Sequence, residues 1–179
     1  MWDADTGREV GRREPPAGGT VSSFAVLPGG ELVTCDGREL RRWTAAGAPA
    51  AAAPNPGVGR VAAAPGGVLL AGAGRYLDLY DAVRLAALDR FTTRELRRGG
   101  HEEFVRALAV RPGGGYAATA AGDSDRTVRV WELACGRPVG AVTVPGTGPI
   151  ALAWSGDGRT LLATGDGHTA RWAFEPPAA

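Results

Sequence analysis

At 179 residues the chain is long enough for one domain with a real core, or for several small repeated units. A net charge of +1 excludes a nucleic-acid or membrane surface driven by bulk charge. The 28 Gly and 13 Pro exceed ordinary usage and point to many turns.

Basic residues are all Arg, and neither Lys nor Gln occurs anywhere. The two cysteines, Cys35 and Cys135, share no metal-ligand spacing and read as thiols in a reducing compartment. No apolar run approaches the length of a membrane span, and the opening MWDADTGREVGRRE has no apolar signal region. A soluble, cytoplasmic protein is the resulting expectation.

In chain order, a turn at Asp5-Thr6-Gly7 leads into a polar strand over 8–13. Strands follow at 21–27 and 31–35 around Pro28-Gly29-Gly30, with a third at 39–43 that ends on Trp43. The Ala-rich stretch 45–56 reads as a mobile or weakly paired outer edge. The pattern repeats at 60–64, Pro65-Gly66-Gly67, 68–71 and 76–80. A longer connection then runs from 81 to 100. Leu85, Leu88 and Phe91 recur there at every third residue, which fits a short amphipathic helix. An extended loop with a fourth strand at 95–98 fits equally well. The clearest copy comprises 105–110, Pro112-Gly113-Gly114, 116–120 and 127–131, with a fourth strand over 138–144. The last comprises 150–154, Ser155-Gly156-Asp157-Gly158, 159–164 and 169–172.

Two independent rulers measure this period. The closing aromatics Trp2, Trp43, Tyr80, Trp131 and Trp172 are one, and the Pro-Gly-Gly turns are the other. Pro presets φ for a tight turn and Gly accepts the positive φ that follows, so each turn joins two antiparallel strands. Four short strands in each unit of about 40 residues are the signature of an all-β propeller blade. The chain is therefore read as one propeller region, 1–179, of about four four-stranded antiparallel blades. Units fall at 8–43, 44–80, 95–131 and 137–172, with a leading partial blade at 1–7 and an insertion at 81–94. Three arrangements follow from so few blades: a fragment of a longer propeller, an open arc, or two chains that complete a ring through unpaired blade edges.

The block 100–136 resembles a blade of the WD-repeat β-propeller family, including its bacterial members. Gly100-His101 matches the family's Gly-His pair, and Trp131-Glu132 stands in place of its closing Trp-Asp. Trp2-Asp3-Ala4-Asp5-Thr6-Gly7 carries the closing dipeptide and its turn. The resemblance implies a hydrogen-bonded structural tetrad of His101, Thr119, Asp125 and Trp131. Partial sets are Thr34, Asp36 and Trp43 in the first unit, Tyr80 in the second, and Thr164, Asp166 and Trp172 in the last. Thr119, His101 and Asp125 also have the residue types of a nucleophile–base–acid triad. A Thr in mid-strand beside a Trp argues instead for a structural network.

His168 has no second ligand at metal spacing, and the glycine clusters lack the Lys and the helix of a phosphate loop. Carboxylates fall in turns and outer strands, so no catalytic residue, cofactor or metal is assigned, and an enzyme with a central-channel site is disfavoured. The resemblance implies a non-catalytic protein–protein interaction scaffold, or a regulatory module of a larger protein such as a kinase-linked propeller. Its favoured contact face nominates Glu102, Glu103, Arg106 and Ser124 for a protein partner, with no nucleic acid and no membrane.

Overall fold

The computed structural model describes residues 3–9, 11, 20–55, 57–90, 101–122, 124–144, 146, 148–149, 151–165 and 167–177. Fifteen strands among these residues form four antiparallel sheets. Sheet one contains β1 (Ser23–Val26), β2 (Leu32–Cys35), β3 (Glu39–Trp43) and β4 (Pro49–Pro54). Sheet two contains β5 (Val58–Ala64), β6 (Val68–Ala73), β7 (Tyr76–Asp81) and β8 (Ala87–Arg90). Sheet three contains β9 (Val105–Val110), β10 (Tyr116–Ala121), β11 (Thr127–Glu132) and β12 (Arg137–Thr143). Sheet four contains β13 (Ala151–Trp154), β14 (Thr160–Gly165) and β15 (His168–Ala173). Each is a meander in which sequence neighbours pair.

The turns behave as their residues dictate. Pro28 and Pro112 each precede glycines at positive φ, such as Gly29 at 87° and Gly113 at 80°, and the strands on either side pair back on one another. Two expectations are corrected. The Ala-rich stretch is not a loose edge: Pro49 to Pro54 pair along β3, from Trp43 to Glu39. Small side chains suit an outer strand that lies largely in solvent. Through Arg90 the connection after Tyr80 is not helical. Asp81 Oδ1 accepts hydrogen bonds from the amides of Val83 and Arg84 at 2.9 and 2.6 Å, which tightens a turn. That turn places Leu85 at φ 53° with its side chain in the core, and β8 departs at Ala87. Burial of the Leu85 side chain offsets the cost of its left-handed backbone. Phe91, the alternative strand at 95–98 and Trp2 lie outside the described residues, as do Val10, Arg12 and Arg13 of the polar strand expected over 8–13.

The four sheets stack in chain order, inner strand beside inner strand. β1 packs against β5, β5 against β9, and β9 against β13. Three apolar cores fill the three junctions. Val33, Leu40 and Leu69 lie in the first, Leu70, Leu79 and Trp131 in the second, and Val128, Val130 and Leu161 in the third. Each sheet therefore has a front face and a back face, and at each junction the back of one sheet meets the front of the next. Among the described residues no comparable packing joins sheet four to sheet one, so the sheets form an open arc and not a closed ring.

The junctions are close. A Cβ placed on Gly72 of β6 would sit 2.8 Å from Val105 Cγ1 in the next sheet. Gly72→Ala is accordingly expected to destabilise the chain by about 1–3 kcal/mol through overpacking. Urea unfolding with an unchanged midpoint would show that this junction is looser than its geometry.

Candidate functional site

The most concentrated polar chemistry lies on the front face of sheet three. Thr119 is central in β10 and Trp131 closes β11; the register opposes Ala117 to Trp131 and Thr119 to Arg129, so Thr119 and Trp131 share a face. His101 precedes β9, and Asp125 occupies the turn between β10 and β11. Trp131 Nε1 donates to Thr119 Oγ1 at 2.7 Å, and Thr119 Oγ1 lies 2.7 Å from His101 Nε2. His101 Nδ1 lies 3.1 Å from Asp125 Oδ2. An ionised Asp125 only accepts, so Nδ1 carries the imidazole proton and Nε2 accepts from the Thr119 hydroxyl. All donors then run in one direction: indole to hydroxyl, hydroxyl to imidazole, imidazole to carboxylate.

Asp125 is held further by the Glu102 amide at 2.5 Å, the Thr127 amide at 3.1 Å and the Thr127 hydroxyl. Burial raises its carboxyl, but these bonds and His101 more than compensate and hold it below the usual carboxylate range. Burial dominates at His101, whose pKa falls from its ordinary 6.5 to about 4 despite the attraction of Asp125. The imidazole is therefore neutral at pH 7.

Asp125, His101 and Thr119 stand in the order of a catalytic triad. His101 is 4% exposed and Thr119 is 0% exposed, with the Trp131 indole capping the hydroxyl. An attacking hydroxyl must reach a substrate carbonyl, and this one is sealed. What the arrangement does chemically is satisfy four buried polar side chains at once and lock the β10–β11 turn to the approach of β9.

The other sheets carry reduced versions. Trp43 Nε1 donates to Thr34 Oγ1 at 2.9 Å, while Asp36 Oδ1 accepts from the amides of Arg38 and Glu39 at 2.8 and 2.9 Å and so shapes its own turn. In sheet two a different pair occupies the equivalent place: buried Asn55, just before β5, donates to the Tyr80 hydroxyl. Sequence reading missed Asn55. The signal was its position three residues before β5, close to the spacing of His101 before β9. In sheet four the expected Thr164 is on the wrong face. Trp172 is opposite Leu161 whereas Thr164 is opposite Thr169, so the two point to different sides. Ala163 takes the place of Thr119, and Asp166 lies outside the described residues.

The four nominated contact residues lie beside the network. Glu102 and Ser124 are exposed, and the Ser124 amide donates to Glu103 Oε2 at 3.4 Å. Glu103 and Arg106 converge over Gly122, where an added Cβ would meet Glu103 Oε2 at 2.3 Å and Arg106 Nε at 2.8 Å. Phe104 stands among them and is 65% exposed, the largest exposure of any large apolar side chain among the described residues. Its ring lies near Gly74 in the β6–β7 turn, and the Val105 amide donates to Gly74 O at 2.7 Å. The loops of sheets two and three thus meet in a single patch.

Thr119→Val keeps the shape of the side chain but strands the Trp131 N–H and His101 Nε2. A loss of about 1–3 kcal/mol in unfolding free energy is expected; an unchanged denaturation curve would show that the relay is not formed. His101 also makes stability depend on pH. Below its ordinary 6.5 the unfolded chain binds a proton that the folded chain refuses until about pH 4. Stability is therefore complete above that window and falls as pH drops through it, by on the order of 3 kcal/mol. His101→Gln should remove that slope between pH 6.5 and 4, and a slope retained by the variant would assign it to other groups.

Comparison with known proteins agrees with this geometry. Residues 93–132 match the family model for the WD domain, G-beta repeat. A stretch of 46 residues is 44% identical to the ribosome biogenesis protein BOP1 homolog of Drosophila virilis; it is 26% of this chain and only 6% of that protein's length. Among solved structures, the computationally designed Ika4 protein superposes with a TM-score of 0.71 at 14% identity, over 94% of this chain and 99% of that one. The WD40 β-propeller domain of Doa1 superposes with a TM-score of 0.69 at 19% identity, over 85% of this chain and 50% of that one. Identities this low speak to fold alone. Residues 93–132, which lead into and form most of the third sheet, thus match a WD40 repeat, and the chain as a whole shares the fold of part of a β-propeller.

Proposed function

We propose that this chain is a non-catalytic protein-interaction scaffold whose partner docks on the rim patch at the junction of sheets two and three. The observation that carries this reading is Phe104, an exposed aromatic ring flanked by Glu102, Glu103 and Arg106, with the Glu102 amide bonded to Asp125 and the Val105 amide to Gly74. Aromatic side chains are enriched at protein interfaces, and a few central side chains carry most of the binding energy. Recognition residues on loops above a rigid scaffold lose little entropy on binding. Glu102 is fixed through its own amide on Asp125, so the acidic side of the patch is preorganised by the buried network.

A protein partner suits the patch, because an exposed aromatic ring stands there among charges of both signs. Two free thiols, Cys35 buried and Cys135 exposed, support placing the protein in the cytoplasm. No helix of the described residues is long and apolar enough to cross a membrane. The same patch would serve a larger protein that contained this chain as a regulatory module.

The test compares wild type with Phe104→Ala and with Glu102→Arg as bait, with captured proteins identified by mass spectrometry. A protein held by wild type and released at least tenfold by both variants, at unchanged melting temperature, is the expected result. Equal capture by all three would remove the rim patch from the interface.

A further inference from the structure

We infer that two copies of this chain close into one ring, the front of sheet one in each copy seating on the back of sheet four in the other. This goes beyond partner recognition at the rim and does not depend on it.

Register equivalence carries the argument. In sheet three, Leu108 is opposite Thr119 and Val110 is opposite Ala117, which is in turn opposite Trp131. Both pack on sheet two. The same places on sheet four hold Leu152 and Trp154, opposite Ala163 and Leu161, and both pack on sheet three. On sheet one these places hold Phe24, opposite Thr34, and Val26, opposite Leu32, which faces Trp43. Here nothing in the described chain covers them: Phe24 is 62% exposed and Val26 is 56% exposed. Sheet one even carries the indole-to-hydroxyl bond from Trp43 to Thr34 that sheet three seals beneath its neighbour. This face has the residues of a covered face.

The back of sheet four is its counterpart. At the third junction the bulky front of sheet four, with Leu152, Trp154 and Trp172, meets a back of Ala107, Ala118 and Ala120 with Val128 and Val130. The corresponding back of sheet four presents exposed Ala151 opposite Thr164 and exposed Ala153 opposite Leu162, with Thr169 and Arg171 in the places of Val128 and Val130. Arg171, opposite Leu162, has the register of Arg42 opposite Val33, and a back face already accommodates that guanidinium through Glu31 at 3.1 Å.

Among the described residues Phe24 and Val26 on one front and Ala151 and Ala153 on one back are exposed, at opposite ends of the arc, so contact between copies is front to back. Such a contact either closes or propagates as a filament. The superposition on the Doa1 propeller structure takes 85% of this chain onto 50% of that one, so four sheets turn through somewhat more than half of a ring that size, and a second arc completes a slightly larger one. Two chains of four sheets make eight, within the range that propellers adopt.

Light scattering behind size exclusion is expected to give twice the 18.4 kDa chain mass, independent of loading concentration. Phe24→Glu on the front and Ala153→Glu on the back lie at exposed positions, so each should fold with a cooperative melt and elute at the mass of one chain. Mixing the two variants should restore a pair, because one intact front then meets one intact back. Wild type at the mass of one chain would overturn the proposal and leave these faces to further repeats or another protein. Mass rising with concentration would overturn ring closure. A dimer of Ala153→Glu that persists while Phe24→Glu is monomeric would replace front-to-back contact with front-to-front.

Discussion

An antiparallel sheet that carries apolar side chains on both faces has to be covered on both, and every larger feature of this chain follows from that constraint. None of its sheets is wide enough to curl and bury itself. Each sheet after the first instead offers a bulky front, such as Trp131 with Leu108 and Val110, to the back of the sheet before it. Repeating one junction three times produces an arc, and the approach is close enough that Gly72 has no room for a side chain beside Val105. Stability then resides in neighbouring contacts, as in other repeat architectures.

The polar relay on sheet three adds direction to that stacking. Burying an indole N–H, a hydroxyl, an imidazole and a carboxylate is favourable only when all are paired. Pairing them fixes the approach to β9 relative to the β10–β11 turn. Asp125 serves both regions: one oxygen accepts from His101 and from the Glu102 amide, the other from Thr127. The inner end of the network is a sealed core and the outer end is the backbone of the rim. Rigidity passes from one to the other through a single carboxylate, and the exposed ring of Phe104 stands two residues beyond that amide.

Sequence reading reached much of this and missed specific parts. Pro-Gly-Gly turns and closing aromatics place the strand pairs because turn chemistry is local. The Ala-rich strand β4 was missed because alanine has weak strand propensity, and its pairing comes from β3 rather than from itself. The helix-like spacing of Leu85 and Leu88 was misleading, since Asp81 closes a turn at that point. Thr164 was assigned to the wrong face because a shift of one residue in register exchanges the two sides of a strand. Asn55 and Tyr80 were invisible as a pair because different residue types fill the geometric role of a His and a Trp.

By itself the sequence determined what depends on residues near one another along the chain: the turns, the strand alternation, the period, and the matching of His101, Thr119, Asp125 and Trp131 to one unit. Only the tertiary structure decided what depends on sheets meeting. That includes which face of each strand is covered, that four sheets leave an open arc, that Glu103 and Arg106 converge over Gly122, and that Phe24 and Val26 stand bare where their equivalents are buried. The physical reason is that hydrogen-bonded turns are specified within a few residues, whereas burial is a property of two surfaces, and neither surface alone records whether the other is there.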